Sequence, residues 1–281
     1  MKSANTVFKL TLIFWVTGIL TVACTGSPKP AVPAAGKSPT GRTTAAVTSE
    51  QVIWEAFLKK AKVVSVTKEM TGGRTKPWIV LLDDGKMKQR AFFKHIDFRR
   101  PSPAPDSYKY EVAAYELTKM LQVEIVPPLV EREIEGTKGS LQMFLENCLS
   151  ERERQRKKLE PPDAVAHSRA MEGLKVFESL VYDECGDLDD SWIHEQDWRV
   201  CRVDFSEAFF PSVELPKGCP ISVCSRKLYE GLLKLEDGAV ASSLTKYLSK
   251  VEIDALLLRK KLILGRIKAL IAEKGEEAVL F

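Results

Sequence analysis

Residues 176–209, VFESLVYDECGDLDDSWIHEQDWRVCRVDFSEAF, decide how this chain is read. The stretch opens as a buried helix end and passes through an acidic loop. It then crosses a strand and reaches Val203-Asp204-Phe205 before an aromatic-rich turn. Four aspartates, Asp183, Asp187, Asp189 and Asp190, crowd the loop, and Asp204 stands alone beyond the strand. Taken singly these have plain readings: a solvated acidic loop and an aspartate capping a turn. The aromatics Trp192, Trp198, Phe205, Phe209 and Phe210 read as core.

Upstream the chain is rich in strands. Residues 52–62 (VIWEAFLKKAK) have helical spacing, and 63–67 and 78–82 read as strands with TGGRT (71–75) turning between them. Asp83-Asp84-Gly85 is a hairpin signal, and the returning strand 88–93 ends at Lys94. Residues 98–107, with three prolines, read as a loop. An amphipathic helix follows at 110–121 and stops before Val126-Pro127-Pro128, with strands at 129–134 and 140–145 and a turn at 135–138. Downstream, helices are expected within 161–182 and at 228–235, 239–248 and 251–274. Strands first and helices second predict an α+β chain of two unlike lobes. A small β-rich lobe would span about 50–146 and a larger helical one about 147–281. No internal repeat is visible.

The first 49 residues read differently. Lys2 and Lys9 flank the start of an apolar core at 10–23. That core is about 14 residues, short of the ~20 a membrane helix needs, and it suits an export signal. Leu20-Thr21-Val22-Ala23-Cys24 resembles a bacterial lipobox, with Thr21 where leucine is usual. The resemblance implies lipidation at Cys24, a signal peptide over 1–24 and anchorage in the cell envelope after export, or an uncleaved signal anchor. Thr25 in place of aspartate would favour the outer membrane. Residues 25–49, rich in Pro, Ala, Ser, Thr and Gly, cannot bury enough apolar surface to order themselves and read as a tether.

Apolar residues are 44% and charged residues 28%, those of an ordinary globular chain. A net charge of +4 from 42 basic and 38 acidic residues supports no nucleic-acid partner. ERERQRKK at 151–158 reads as a solvated helix face. Five cysteines follow Cys24 (Cys148, Cys185, Cys201, Cys219 and Cys224), so at least one lacks a partner within that set. Cys219 and Cys224 are close enough to close a small loop across Pro220. His95, His167 and His194 have no zinc-ligand spacing to them.

The order of parts is a glycine-bearing turn, a lysine closing a strand, an early helical glutamate, an edge strand, and a helical half carrying the acidic loop and Asp204. In that order the chain resembles the atypical protein-kinase-like proteins of bacteria, relatives of HipA-type, secretory-pathway and phosphoinositide kinases. The resemblance runs from about Val63 to the end. Gly73-Arg74-Thr75-Lys76-Pro77-Trp78 with Asp84-Gly85 is similar to the phosphate loop and hairpin, which implies nucleotide contacts from Gly73 and Thr75. Ala91-Phe92-Phe93-Lys94 resembles the strand bearing the ATP-contacting lysine. Tyr110-Glu111-Val112-Ala113-Ala114-Tyr115-Glu116-Leu117 resembles the helix whose glutamate holds that lysine. Val126-Pro127-Pro128 and Lys138-Gly139-Ser140-Leu141-Gln142 resemble the segments leading to the adenine hinge, which implies contacts from Met143 and Leu145. The closing residues EKGEEAVLF (273–281) are also similar to the family's tail.

The resemblance implies a two-lobed protein-kinase-like fold, with ATP and Mg²⁺ as cofactors. Phosphoryl transfer needs amides and a lysine on the phosphates, carboxylates on the metal and a base near the acceptor. The family segment reads NxDRNxGN before its second metal-binding aspartate. Against it, Cys185 stands at the catalytic aspartate, Gly186 at the arginine, Asp189 at the glycine and Asp190 at the metal-binding asparagine. Asp204 matches the second metal ligand, and Glu207 stands where the family often has arginine. A thiol cannot reproduce a carboxylate base, whose loss costs about 10²–10⁴-fold. Three readings follow. One is a membrane-tethered pseudokinase with weak or no transfer, acting on a protein partner. Another is a divergent kinase using Asp187 or Asp183 as base. The last is a structural envelope lipoprotein without a nucleotide site, in which Lys94 and Asp204 would lie apart.

Overall fold

The computed structural model describes residues 49–68, 76–102 and 104–281. The expectations on Cys24, the signal and tether, Gly73 and Thr75 lie outside the described residues. In chain order, helix α1 (Ser49–Lys60) is followed by strands β1 (Lys62–Thr67), β2 (Trp78–Asp83), β3 (Lys88–Lys94), β4 (Asp97–Phe98) and β5 (Asp106–Ser107). Then come α2 (Tyr108–Leu121), β6 (Leu129–Ile134), β7 (Thr137–Met143), β8 (Cys148–Ser150), α3 (Glu151–Lys157) and α4 (Ala164–Val181). Strands β9 (Ser191–His194) and β10 (Val200–Arg202) precede helices α5 (Arg226–Lys234), α6 (Asp237–Leu244), α7 (Lys250–Lys274) and α8 (Glu276–Val279). This is a mixed α and β chain built on a five-stranded antiparallel sheet, ordered β1-β2-β3-β7-β6.

The hairpin at Asp83-Asp84-Gly85 shows how the sequence writes this sheet. The Asp84 carboxylate accepts from the Lys86 and Met87 amides at 2.9 and 2.7 Å, and Asp83 accepts from Gly85 at 2.7 Å. Gly85 takes the left-handed φ of 84° that the tight turn requires. Register is thereby set with Asp83 opposite Lys88. Strand alternation then puts Ala91 and Phe93 on the face buried with Val80, Leu82 and Leu141 beneath Phe57 and Leu58 of α1. Lys94, next along the strand, falls on the opposite face.

A second, larger core gathers α2, α4, α5, α6 and α7. Ser107 caps α2 by accepting from the Lys109 amide at 3.1 Å, which places Glu111 in the first turn. Gly231 of α5 lies where any Cβ would collide with the Leu121 carbonyl, so its lack of a side chain lets α5 abut the end of α2. Ser249 and Glu252 form a capping box on α7. Glu252 also accepts from the Tyr110 hydroxyl at 2.7 Å.

Several expectations change in detail. The 98–107 stretch, expected as loop only, is bracketed by the short β4–β5 ladder. The single strand expected after the acidic loop is two, β9 and β10, folded back at Asp197, whose carboxylate accepts from the Arg199 amide at 3.1 Å. With β8 they form a small three-stranded sheet. The 151–158 stretch is helical over α3, but Glu151 is buried and accepts from Arg154 at 2.7 Å. The small Cys219–Cys224 loop does not form. Cys219 is bonded to Cys185, with Cα atoms 5.6 Å apart. Cys224 is pinned elsewhere, its amide donating to the Val279 carbonyl at 2.9 Å beside its bridge to Leu280. Cys148, Cys201 and Cys224 are free thiols.

Candidate functional site

Lys94 ends β3, Glu111 opens α2 and Asp204 follows β10, and the fold brings the three together. The Lys94 Nζ is 2.5 Å from Glu111 Oε1 and 2.8 Å from Asp204 Oδ1. Glu111 is 2% exposed, whereas the Asp204 side chain is 45% exposed and opens to the cleft. Asp204 adopts a left-handed φ of 60°, sparsely populated for a non-glycine residue, and accepts from Ser206 Oγ at 3.1 Å. Burial pulls the Lys94 ammonium down, but Glu111 and Asp204 outweigh it, so Lys94 is held above the usual lysine range. Burial pushes Asp204 up, and the Lys94 charge and hydrogen bond more than reverse this, bringing it down to about 2. Burial raises Glu111 despite the Lys94 charge.

The acidic loop is built on two buried side chains that the sequence reading missed, Glu178 and Arg202. Glu178, near the end of α4, is fully buried; its Oε2 accepts from the Gly186 amide at 2.9 Å and its Oε1 from Arg202 Nε at 3.0 Å. Arg202, 1% exposed, also reaches Asp183 Oδ2 at 3.2 Å and Asp190 Oδ2 at 3.1 Å. One guanidinium thus serves three carboxylates. The available signal was an arginine inside an apolar strand, VCRVD, which needs a buried anionic partner.

The loop carboxylates have separate tasks. The Asp187 carboxylate accepts from the Asp189 and Asp190 amides at 2.7 and 3.3 Å, and its carbonyl accepts from Ser191 Oγ at 2.7 Å, so it shapes the turn. Asp189 is exposed and pairs with Arg152 at 2.6 Å. Asp183 and Asp190 face the cleft with Lys94, Arg202 and Asp204. Burial lifts Asp183 to about 7 against the pull of Arg202. Burial, with Asp204 and Asp187 repelling, lifts Asp190 to about 6.

The cleft has a volume of about 1680 Å³, and Cys185 forms part of its wall. Glu178, Cys185 and Cys219 present ligand atoms within 4.8 Å of one another. The two sulfurs are bonded to each other and Glu178 to Arg202, so the trio is a strut and not a ligand set. Met143 and Leu145 line a different, small cavity of about 60 Å³ with Trp54, Val126, His194 and Cys201. On the sheet face that carries Lys94, Phe92 stacks on Phe144 at 4.8 Å, and the Arg90 guanidinium sits 3.9 Å over the Phe144 ring. Carboxylates exceed cations in the cleft, and hard oxygen ligands crowded in this way suit a divalent ion such as Mg²⁺.

No protein-family model matches the chain, and no curated protein does. Among solved structures the chain is similar to that of a Helicobacter pylori proinflammatory kinase, CtkA, at 7% identity and a TM-score of 0.43, covering 78% of this chain and 97% of that one. Among the described residues no helix is long and apolar enough to cross a membrane.

Proposed function

We propose that this chain is a kinase-like protein of two lobes that binds a magnesium nucleotide and transfers phosphate weakly or not at all. The small lobe is residues 50–146 and the helical lobe 147–281. On this reading it acts by binding a protein partner from an N-terminal envelope anchor. The observation that carries the loss of transfer is the Cys185–Cys219 bond. The residue at the expected base position has neither a carboxylate nor a titratable thiol. The meeting of Lys94 with Glu111 and Asp204 supports a nucleotide site.

Asp190 and Asp204 would hold the metal, and Lys94 would meet the phosphates. The metal, when bound, would neutralise phosphate charge. The donor set suits a cation: burial lifts Asp190 to about 6 with Asp204 and Asp187 repelling it, and a bound cation would relieve that repulsion. Titration of the full chain with ATP and magnesium, read as a rise in melting temperature, tests the binding. A rise that vanishes in Lys94→Ala and Asp204→Ala is the expected result. No rise in the parent chain rejects the nucleotide site, and robust steady-state phosphorylation lost in both variants rejects the pseudokinase reading.

One observation favours a second reading, a slow kinase. Asp183 faces the cleft and is lifted to about 7, the range in which a general base works near neutral pH. This reading requires magnesium-dependent turnover that disappears in Asp183→Asn.

A further inference from the structure

We infer that the Cys185–Cys219 disulfide is the positioning element of the cleft, tying the acidic loop to the facing wall and so setting the width of the site. The inference rests on the reading of the cleft as a metal–nucleotide site. Asp183, Cys185 and Asp190 supply one wall, and Phe210, Leu215 and Lys217 supply another. The second wall belongs to the connection between Asp204 and α5, which has no helix or strand of its own before the bridge at Cys224. Long connections of this kind are uncommon in compact domains unless they serve a function.

That connection is held at its two ends. Arg259 donates to the Phe210 carbonyl at 3.0 Å and to that of Ser212 at 2.6 Å. Cys224 donates to Val279 at 2.9 Å. Among the described residues no backbone-to-backbone hydrogen bond anchors residues 213–223. What fixes their middle is Cys219, 5% exposed and bonded to the loop, with the Ile221 side chain buried beside it. The loop has independent supports in Glu178 and Arg202, so it keeps its fold without the bond. Between the walls the Phe209 amide meets the Val181 carbonyl and Arg259 joins Leu180 to Phe210, so the spacing is fixed there; beyond Ser212 it rests on Cys219, through the disulfide and its contacts to Ser179 and Lys175. A dithiol reductant would open the bond by giving two electrons and two protons, closing to its own disulfide as Cys185 and Cys219 become thiols.

The test is calorimetric titration of ATP with magnesium into the full chain in three forms: oxidised, reduced by a dithiol, and Cys219→Ser. Thiols are counted by mass after alkylation, and each titration is run below the melting temperature of its form. Cys219 does not line the cleft, so its substitution takes no group from the wall. Both opened forms are expected to bind at least about tenfold more weakly than the oxidised chain. Affinities within about twofold of the oxidised chain, with only a lower melting temperature, would make the bond a staple and overturn the inference. If Cys219→Ser alone fails to fold, the reduced chain decides. Unfolding of both opened forms overturns it too, since the bond would then hold the fold and not the cleft. No binding by the oxidised chain rejects the site itself, and the inference with it.

Discussion

On the Lys94 side of the cleft one ammonium stands between two carboxylates; on the loop side one guanidinium stands among three. On the first side the Lys94 charge outweighs burial and holds Asp204 down at about 2. On the loop side burial outweighs the guanidinium, and Asp183 and Asp190 rise to about 7 and about 6. The contrast separates two tasks. Asp204 shares its cation with one other carboxylate and keeps its charge, whereas the more deeply crowded loop carboxylates are held close to neutral pH. On the proposed reading the side that holds charge is intact, and the side that would move a proton has Cys185, bonded to Cys219, at its expected position.

The largest effect is expected at Arg202. Arg202→Met would leave Glu178, fully buried, and Asp183 without their cation. Removing one partner of a buried pair costs about 3–5 kcal/mol. The upper end is expected, read as the shift in denaturant midpoint, or failure to fold. A loss below about 1 kcal/mol would mean that the loop carboxylates are neutral in the folded chain and need no cation. Lys94→Met should cost less, roughly 3 kcal/mol. It strands the buried Glu111, but Asp204 is open to water and recovers solvation. The same variant should weaken nucleotide binding by more than about 100-fold if the lysine meets the phosphates.

How much of this was legible follows the same division. Lys94, Glu111 and Asp204 each sit at a readable place: the end of a strand after a turn signal, the first turn of a capped helix, and beyond a strand of apolar residues. Local sequence positions each of them, and their order along the chain suggested that they meet. Arg202 and Glu178 were missed because their roles depend on pairing across the fold; in sequence one is a strand residue and the other a helix residue 24 positions earlier. The disulfide was misjudged for the same reason. Short spacing favoured Cys219 with Cys224, yet the backbone bonds from Cys224 to Val279 hold it apart from its near neighbour. The Asp197 turn that splits β9 from β10 lies in a stretch too short to show its period.

The pH dependence of stability should divide the two sides. Asp183 has a folded value of about 7 against an ordinary 3.8, so the folded chain binds its proton more readily than the unfolded chain. Stability from this group is greatest below pH 3.8 and falls as pH rises toward 7, by up to a few kcal/mol. Asp204 runs the other way: its folded value of about 2 gives stability that is present above 3.8 and lost as pH falls toward 2. Denaturant midpoints measured across this range should therefore decline toward neutrality in the parent chain. Between pH 3.8 and 7 the decline should be shallower in Asp183→Asn, with Asp190 at about 6 supplying part of what remains, and should persist in Asp204→Asn. An equal slope in the parent and Asp183→Asn would assign the decline to other groups.

The smallest expected effect is the sharpest discriminator within the loop, because Asp183 and Asp187 are close in sequence and differ in task. Asp187 spends its carboxylate on two backbone amides of its own turn, at 2.7 and 3.3 Å. Asp187→Ala should cost about 1 kcal/mol, the usual effect of losing such a side-chain cap. It should leave any phosphate transfer unchanged, because the group does not line the cleft. Asp187→Asn keeps the accepting oxygen and should restore most of the stability. Transfer activity abolished by both Asp187 variants and retained in Asp183→Asn would invert the assignment. The turn would then have to open to deliver Asp187, and the loop side would be a working base held in reserve by its own hydrogen bonds.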